Sequence, residues 1–260
     1  MLEITPLFSG SSGNSVHIRC GQDELLIDAG VSFRNITRAL EKIGSAPSNI
    51  KCVLVTHEHD DHIHGLEIFC KNYGVPVYIN TASAKQICSR GKCPCFSSCI
   101  SLLDDGETLS IGSLHIKAFR TPHDACGSVG YRIDSDDGDS FSYVTDIGYV
   151  TKCIANNVFG SGTVIFESNH DPEMLRCGCY PEILKSRILS DKGHLSNQAC
   201  SEFLPYLAAN GTKRIILAHL SGDNNTPQKA LELSKCALSR AGYENVCLEV
   251  APRSILDDQT

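Results

Sequence analysis

Three histidines and three acidic residues lie within seven positions, in the segment Thr56-His57-Glu58-His59-Asp60-Asp61-His62. In an extended segment successive side chains alternate, so His57 and His59 point the same way and can bind one cation. Asp61 and His62 follow the bend and can face a second cation. Because an apolar run comes directly before the segment, we predict a strand that delivers half of a two-metal site.

Candidates for the remaining ligands end predicted strands later in the chain. His123 is the natural third ligand for the cation bound by His57 and His59, and His219 is the candidate that completes the second cation. Asp146 ends another strand, where a lone carboxylate can bridge two cations. Histidines and carboxylates without a thiolate suit zinc and manganese alike.

Polar residues recur immediately after apolar strands. Because six of them do so along one chain, we expect one rim of the sheet to be the active site. The six are Asp28, His57, His123, Asp146, Glu167 and His219. The polar run that begins at Glu167 also contains His170, for which we expect contact with substrate or support of a ligand.

The turn Ser9–Ser15 is rich in glycine and serine and joins two predicted strands. It is either a plain hairpin loop or an anion nest, whose backbone N–H groups and hydroxyls lie near the metals. In the second case Ser12 and Asn14 contact substrate or support the metal ligands.

Other segments predict helices and one irregular loop. Ser32–Ile43 is expected to be an amphipathic helix, and Ser196 is expected to cap a helix that Pro205 should kink or break. The Cys-rich segment 88–99 either holds a structural zinc through Cys88, Cys93, Cys95 and Cys99 or is a reduced surface loop. A single domain over residues 1–260 is predicted, with a frayed tail over 251–260.

Composition limits the compartment and the partners. The 260 residues, 42% of them hydrophobic, suffice for one core, and no apolar run reaches the ~18 residues of a membrane helix. The N-terminus lacks the pattern of a signal peptide, and 14 cysteines fit a reducing cytoplasm. A net charge of -7 argues against broad electrostatic binding of nucleic acid, without excluding a nuclease.

The Thr56–His62 segment resembles the metal-binding signature of the metallo-β-lactamase superfamily. The order of strands and motifs over nearly the whole chain is similar to that superfamily's α/β fold, an αββα sandwich of four layers. This resemblance implies that Asp28 supports the metal loop from behind the ligands. The β-lactamases proper often have a cysteine at the position of Asp146, so antibiotic hydrolysis is not expected.

Within the superfamily, Glu167, the Gly193–Ser196 motif and the Leu217–Ser221 motif resemble the nuclease branch, and the chain is similar to the YycJ (WalJ) group of bacterial metallo-hydrolases. This resemblance implies a 5′-to-3′ exonuclease that acts on DNA, with RNA as another possible partner. Two divalent cations, zinc or manganese, would hold a bridging hydroxide that attacks phosphorus.

The nuclease branch pairs a histidine at the position of His194 with an acid at the position of Glu167. The resemblance therefore implies that His194 acts as general acid or as a clamp on the scissile phosphate, with Glu167 orienting it. A capping or packing role is the alternative for His194. Asp61, Glu167 and His194 are the predicted catalytic residues.

Two other functions remain open from the sequence. A small-molecule hydrolase that acts on a thioester, a lactone or a cyclic nucleotide could use the same metals, and the acidic net charge favours it. A metal- or redox-responsive regulator could instead use the cysteine loop, although the complete ligand set argues against a vestigial site.

Overall fold

The computed structural model describes residues 1–90 and 98–257, and two mixed β-sheets form its centre. Sheet 1 contains strands β1 to β6 in sequence order. These are Leu2–Phe8, Ser15–Cys20, Asp23–Ile27, Ile50–Leu54, Val77–Ile79 and Ile100–Leu102. The first three strands are antiparallel, and β3 to β6 run parallel to one another.

Sheet 2 contains strands β7 to β13, in the spatial order β13-β12-β11-β10-β9-β8-β7. They are Thr108–Ile111, Leu114–Arg120, Val129–Ser135, Ser140–Val144, Thr163–Glu167, Arg214–Ala218 and Cys247–Val250. Strands β10 to β13 are parallel, whereas β7 to β10 form an antiparallel meander.

Helices lie along the chain between these strands, beginning at polar caps such as Ser32, Asn80 and Ser196. In chain order, α1 to α9 are Phe33–Lys42, Asp60–Ile63, Leu66–Tyr73, Thr81–Ser89, Lys152–Val158, Pro172–Cys177, Glu182–Ile188, Asn197–Ala209 and Pro227–Arg240. A 3-10 turn spans Pro47–Asn49. No helix among the described residues is long and apolar enough to cross a membrane.

Three buried clusters hold the layers together. Side chains from the facing sides of the two sheets, such as Leu25 and Tyr131, form the central cluster. A second cluster packs α1, α3 and α4 on sheet 1 through residues such as Phe69, and a third packs α5, α8 and α9 on sheet 2 through residues such as Leu204. The layer order is therefore helix, sheet, sheet, helix, which confirms the predicted αββα sandwich.

Two local expectations differ from the structure. Pro205 was expected to kink or break its helix, and the break is wrong, because α8 continues from Asn197 to Ala209. Proline removes one backbone hydrogen bond, but Cys200, Leu204 and Leu207 are fully buried and their packing holds the helix together.

The C-terminal segment also differs from the expected frayed tail over residues 251–257. The Ala251 amide donates to the Leu217 carbonyl at 2.8 Å, and the Ile255 amide donates to the Leu7 carbonyl at 2.8 Å. Ile255 also packs against the cluster between sheet 1 and its helices. Of the cysteine segment, Cys88 and Cys99 are described as free thiols, whereas Cys93 and Cys95 lie outside the described residues.

Candidate metal centre and acid-histidine pair

Residues that follow the parallel strands of both sheets meet at one rim of the sandwich. Asp28 follows β3, Asp146 follows β10 and His219 follows β12. These three are the non-glycine residues with positive φ in the described part of the chain, with values of 61°, 57° and 58°. Left-handed backbone costs a non-glycine residue free energy, so three such residues at one site indicate that the fold holds them there for function.

One group of donors consists of His57, His59 and His123, whose ligand atoms lie within 4.8 Å of one another. His57 Nε2 lies 3.0 Å from His59 Nδ1, and the ring centroids of His57 and His123 are 4.9 Å apart. His123 Nδ1 lies 3.2 Å from the Gly193 carbonyl oxygen, a contact that fixes the ring if Nδ1 carries the proton. The structure thus brings the three predicted ligands together.

The second group of donors consists of Asp61, His62 and His219, again within 4.8 Å of one another. Asp61 Oδ2 lies 3.6 Å from His62 Nε2 and 3.7 Å from His219 Nε2. Both imidazoles are buried, whereas Asp61 is partly exposed. Oxygen and imidazole nitrogen converge here as they do in sites for divalent cations.

Asp146 lies between these two groups and is almost fully buried. Its Oδ1 atom is 3.8 Å from His123 Nε2, and its Oδ2 atom is 3.3 Å from His62 Nε2. One carboxylate oxygen therefore faces each group, which is the arrangement that a bridging ligand requires.

Asp28 and Thr56 fix the orientation of the second group from behind. Asp28 Oδ2 lies 2.8 Å from His62 Nδ1, and Asp28 Oδ1 accepts the Thr56 amide at 2.8 Å. The Thr56 hydroxyl also contacts His57 Nδ1 at 3.0 Å. A carboxylate on Nδ1 leaves Nε2 of His62 available as a ligand, so the structure places Asp28 where the family resemblance implied.

Glu167 contacts two histidines through the same oxygen. Its Oε1 atom lies 2.9 Å from Nδ1 of His194 and 2.9 Å from Nδ1 of His219. Its Oε2 atom accepts the backbone N–H groups of Ile147 at 2.8 Å and Leu195 at 3.1 Å. Glu167 is completely buried, so it is placed to orient both rings from inside the protein.

His194 and His170 occupy different environments near this acid. His194 is partly exposed at the rim, and its contact with Glu167 through Nδ1 leaves Nε2 as the second ring nitrogen. His170 is 1% exposed, and neither ring nitrogen has a hydrogen-bond partner among the described residues. Burial lowers the pKa of His170 to about 4, so this imidazole is neutral at neutral pH.

The Ser9–Ser15 turn reaches the centre through some of its residues. Asn14 Nδ2 lies 3.2 Å from His62 Nε2 and 3.5 Å from Asp61 Oδ2. Ser9 Oγ accepts the His219 amide at 2.8 Å. Ser12 is exposed, and within the described ranges no hydrogen bond joins it to the donor groups.

Charge and hydrogen bonding at the centre fit bound cations. Burial would lower the pKa of His219, but Asp146, Asp61 and Glu167 raise it to about 10. By contrast, burial and the nearby His62 hold the pKa of His57 well below its usual range. In the described part of the chain, Asp146 Oδ2 and His219 Nε2 are buried without a hydrogen-bond partner. A divalent cation would satisfy both atoms, because it would take the place of the proton that these carboxylates hold on His219.

Sequence reasoning missed several supporting residues. Two of them are Thr56, which contacts Asp28, and Ser9, which contacts His219. Glu58 accepts the Cys126 amide at 2.7 Å and the Ser83 hydroxyl at 2.5 Å, which ties the loop of His123 to α4. The available signal for Glu58 was its position in the sequence, as an acid between His57 and His59. The only signal for Ser9 was its place in the Ser9–Ser15 turn, which did not indicate its partner His219, 210 positions away.

The fold and this centre define a class of metallo-hydrolase. The family model described as "Beta-lactamase superfamily domain" matches residues 23–220, and the chain belongs to that superfamily. The crystal structure of the metallo-β-lactamase fold protein YhfI from Bacillus subtilis superposes with a TM-score of 0.71, covering 98% of each chain at 17% identity. At this identity the likeness supports the fold alone.

Two curated relatives indicate which group of the superfamily this chain resembles. The chain is 40% identical over 227 residues to the exodeoxyribonuclease WalJ of Streptococcus pneumoniae serotype 2, covering 86% of this chain and 83% of the relative. It is 36% identical over 245 residues to the exodeoxyribonuclease YycJ of Bacillus anthracis, covering 93% and 91%. The predicted resemblance to the YycJ (WalJ) group is therefore confirmed.

Proposed function

We propose that this protein is a metal-dependent exodeoxyribonuclease that degrades DNA from the 5′ end. The observation that carries the proposal is the pair of three-residue donor groups on either side of Asp146. The names of the WalJ and YycJ relatives, which match over most of the chain, support DNA as the substrate. Because 14 cysteines favour a reducing compartment, we also propose that it works in the cytoplasm.

We assign one cation to His57, His59 and His123, and a second to Asp61, His62 and His219, with Asp146 shared by both. Zinc and manganese both suit this set of nitrogen and oxygen donors. Two divalent cations, when bound, activate a water molecule and neutralise negative charge on the phosphate.

Other residues of the chain orient the ligands and act on the substrate. Asp28 holds His62 and Glu167 holds His219, so each ring keeps Nε2 toward the centre. His194, held at Nδ1 by Glu167, can donate a proton from Nε2 to the leaving oxygen or hold the scissile phosphate. Asp61 is also partly exposed, so it can contact the substrate or the attacking water as well as a cation.

End-labelled substrates test the proposal. Metal-reconstituted protein is incubated with single- and double-stranded DNA and RNA, labelled at either end, and with thioester, lactone and cyclic-nucleotide substrates. A 5′ label should be released at once as a mononucleotide, while a 3′-labelled strand shortens gradually. Metal analysis of the same samples should give two cations per chain.

Salt dependence separates the two enzymatic candidates. Cleavage of a polyanion should weaken steeply as salt rises, whereas a compact substrate should be nearly indifferent to salt. Efficient turnover of a thioester or a cyclic nucleotide, with no cleavage of DNA, would replace the nuclease proposal by a small-molecule hydrolase.

A further inference from the structure

A groove of about 1070 Å³ opens beside His123, the histidine of the first donor group. We call it the His123 groove, and its other lining residues include Lys85, Arg120, Tyr149 and Lys192. Pockets for small molecules typically have volumes of roughly 300–1,000 Å³. The volume of the His123 groove is at the upper end of this range, and the groove adjoins the proposed catalytic centre.

Backbone packing fixes one wall of the groove. The Gly148 amide donates to the Pro122 carbonyl at 3.0 Å. A Cβ atom at position 148 would lie 2.2 Å from the backbone of Asp191, so the segments that follow Asp146 and precede His194 are in direct contact. Tyr149 and Lys192 are the next residues along these segments, and this contact holds them beside the centre.

The groove presents cationic side chains, one of which, Lys85, interacts electrostatically with the nearby Asp104. Lys85, Arg120 and Lys192 are exposed, and none of them forms an ion pair within residues 1–90 and 98–257. The chain as a whole carries a net charge of -7, so these cations do not reflect a generally basic surface. Free ammonium and guanidinium groups along a groove can neutralise successive phosphates.

Three acids also line the groove, but two of them are engaged with the backbone. Asp104 accepts the Thr81 amide at 2.7 Å, and Asp105 accepts the Arg120 amide at 2.8 Å. The third, Asp191, is exposed. Lysine and arginine side chains are longer than those of aspartate, so in an open groove their charged ends can extend past the acids to a polyanion.

Tyr149 adds an aromatic surface to the groove. It is 48% exposed, and no aromatic ring within the described ranges packs against it. An exposed ring beside cationic side chains is the combination by which proteins bind single-stranded nucleic acid without reading its sequence, because every base can stack.

We propose that the His123 groove binds the single strand of nucleic acid that continues beyond the scissile phosphate. Lys85, Arg120 and Lys192 contact its phosphates, and Tyr149 stacks on a base. The inference rests on the proposed nuclease function and extends it, because it assigns the path by which the polymer enters the metal centre.

Binding and cleavage are measured separately on the metal-loaded full chain. Binding uses a fluorescent single strand of about 12 nucleotides with phosphorothioate linkages, which resist cleavage, followed by anisotropy at several salt concentrations. Cleavage uses the same sequence with ordinary linkages and, in parallel, a bis-nitrophenyl phosphodiester that needs only the metal centre. The variants are Tyr149→Ala, Tyr149→Phe and the triple change Lys85→Gln/Arg120→Gln/Lys192→Gln, with Lys235→Gln and Tyr206→Ala as controls outside the groove.

Tyr149→Ala should raise the Kd for the strand roughly ten-fold, while Tyr149→Phe keeps the ring and binds as the wild type does. The triple variant should weaken binding and reduce the slope of log K against log salt by about 2, from three phosphate contacts on a single strand. Both variants should lose much less turnover of the small phosphodiester than of the 12-nucleotide strand, and both controls should bind the strand normally.

Unchanged binding and an unchanged salt slope in Tyr149→Ala and the triple variant would overturn the groove assignment, provided that the wild type cleaves DNA. A wild type that turns over the small phosphodiester and cleaves no DNA would instead remove the proposed function. Thermal unfolding of each variant checks that it folds. If the triple variant is unstable, the comparison of Tyr149→Ala with Tyr149→Phe still tests stacking.

Discussion

The Oε1 atom of Glu58 accepts a hydrogen bond of 2.7 Å from the backbone N–H of Cys126. Glu58 thereby links the strand-end loop of His57 and His59 to the loop of His123. The same carboxylate accepts the Ser83 hydroxyl. All three ligands of the first donor group therefore depend on one buried acid for their relative positions.

Glu58→Ala should weaken binding of the first cation by about 10- to 100-fold, as loss of an orienting contact does in other metal sites. The Cys126 N–H also loses its acceptor, which adds an unfolding penalty. Competition with a coloured chelator measures the affinity for each cation.

Glu58→Gln provides the matched comparison. Its amide oxygen can still accept from Cys126, and its NH₂ group can donate to the Ser83 hydroxyl, whose single proton can then turn to the Gly127 carbonyl 2.9 Å away. We expect near-normal metal affinity in this variant and in the exposed-surface control Glu41→Ala. Equal loss in the Ala and Gln variants would show that the charge of Glu58, and not its hydrogen bonds, matters.

Gly30→Ala should disturb the second donor group. A Cβ atom on Gly30 would lie 1.7 Å from the Asp61 carbonyl oxygen and 2.6 Å from the Asn14 amide nitrogen. The backbone must move, at a cost of about 1–3 kcal/mol in the free energy of unfolding, and the Asp61 carboxylate moves with it. Denaturant unfolding and metal content are measured together.

Gly162→Ala is the control for this change, because its new methyl group would meet Ser140 only at an ordinary 3.5 Å. If Gly30→Ala retains wild-type stability and two cations, the close approach to Asp61 is not a constraint on the centre.

Local sequence signals account for most of the predicted site. Part of the predicted ligand set follows from strand ends, because His57, Asp146 and His219 come after parallel strands, whose carboxyl ends meet at one edge. The left-handed backbone of Asp28, Asp146 and His219 could not be predicted, because local preference disfavours it and only the surrounding fold imposes it. Pro205 illustrates the same limit. Proline by itself tends to end a helix, but the packing of its buried neighbours keeps this segment helical.

Supporting contacts were harder to predict than ligands because they join distant positions. Thr56 contacts Asp28 across 28 positions, and Ser9 contacts His219 across 210. Serine and threonine occur throughout any sequence, so their type gives no warning of such a role. Asn14 was expected near the centre only because its turn was rich in glycine and serine.

The buried pair His17 and Glu24, away from the metal centre, should make stability depend on pH. His17 Nε2 lies 2.8 Å from Glu24 Oε2, and burial lowers the pKa of His17 although Glu24 opposes this effect. Below the ordinary imidazole pKa of about 6.5, the unfolded chain binds a proton that folded His17 resists. The free energy of unfolding should therefore decrease as pH falls below about 6.5, until the pH reaches the lower pKa of folded His17.

His17→Gln keeps a donor toward Glu24 and cannot titrate, so its stability should decrease less over this range. Urea unfolding of both proteins at matched metal content, between roughly pH 7 and pH 5, measures the difference. Parallel pH profiles would mean that His17 is protonated equally readily in the folded and unfolded chains.

Under the proposed role, in which the imidazole acts on the leaving oxygen or the phosphate and is not a ligand, His194→Ala should lower kcat by ~10²–10⁴ while both cations stay bound. Its position supports this expectation. His194 is partly exposed at the rim and contacts Glu167 at 2.9 Å. Metal analysis and single-turnover cleavage on the same sample test it: loss of a cation would make His194 a ligand, and an unchanged rate would make it structural.

Glu167→Gln should reduce kcat less than His194→Ala but also weaken the second cation, because Glu167 contacts His219 as well as His194. An amide placed there can accept through only one atom, whereas the carboxylate faces two imidazoles and two backbone N–H groups. In the double variant His194→Ala/Glu167→Gln, the losses in kcat at saturating metal should not add, since Glu167 acts on the proton transfer through His194. Loss of cation affinity, by contrast, should match that of Glu167→Gln alone. Fully additive losses in kcat would mean that the two residues act independently, and that Glu167 affects turnover only through His219.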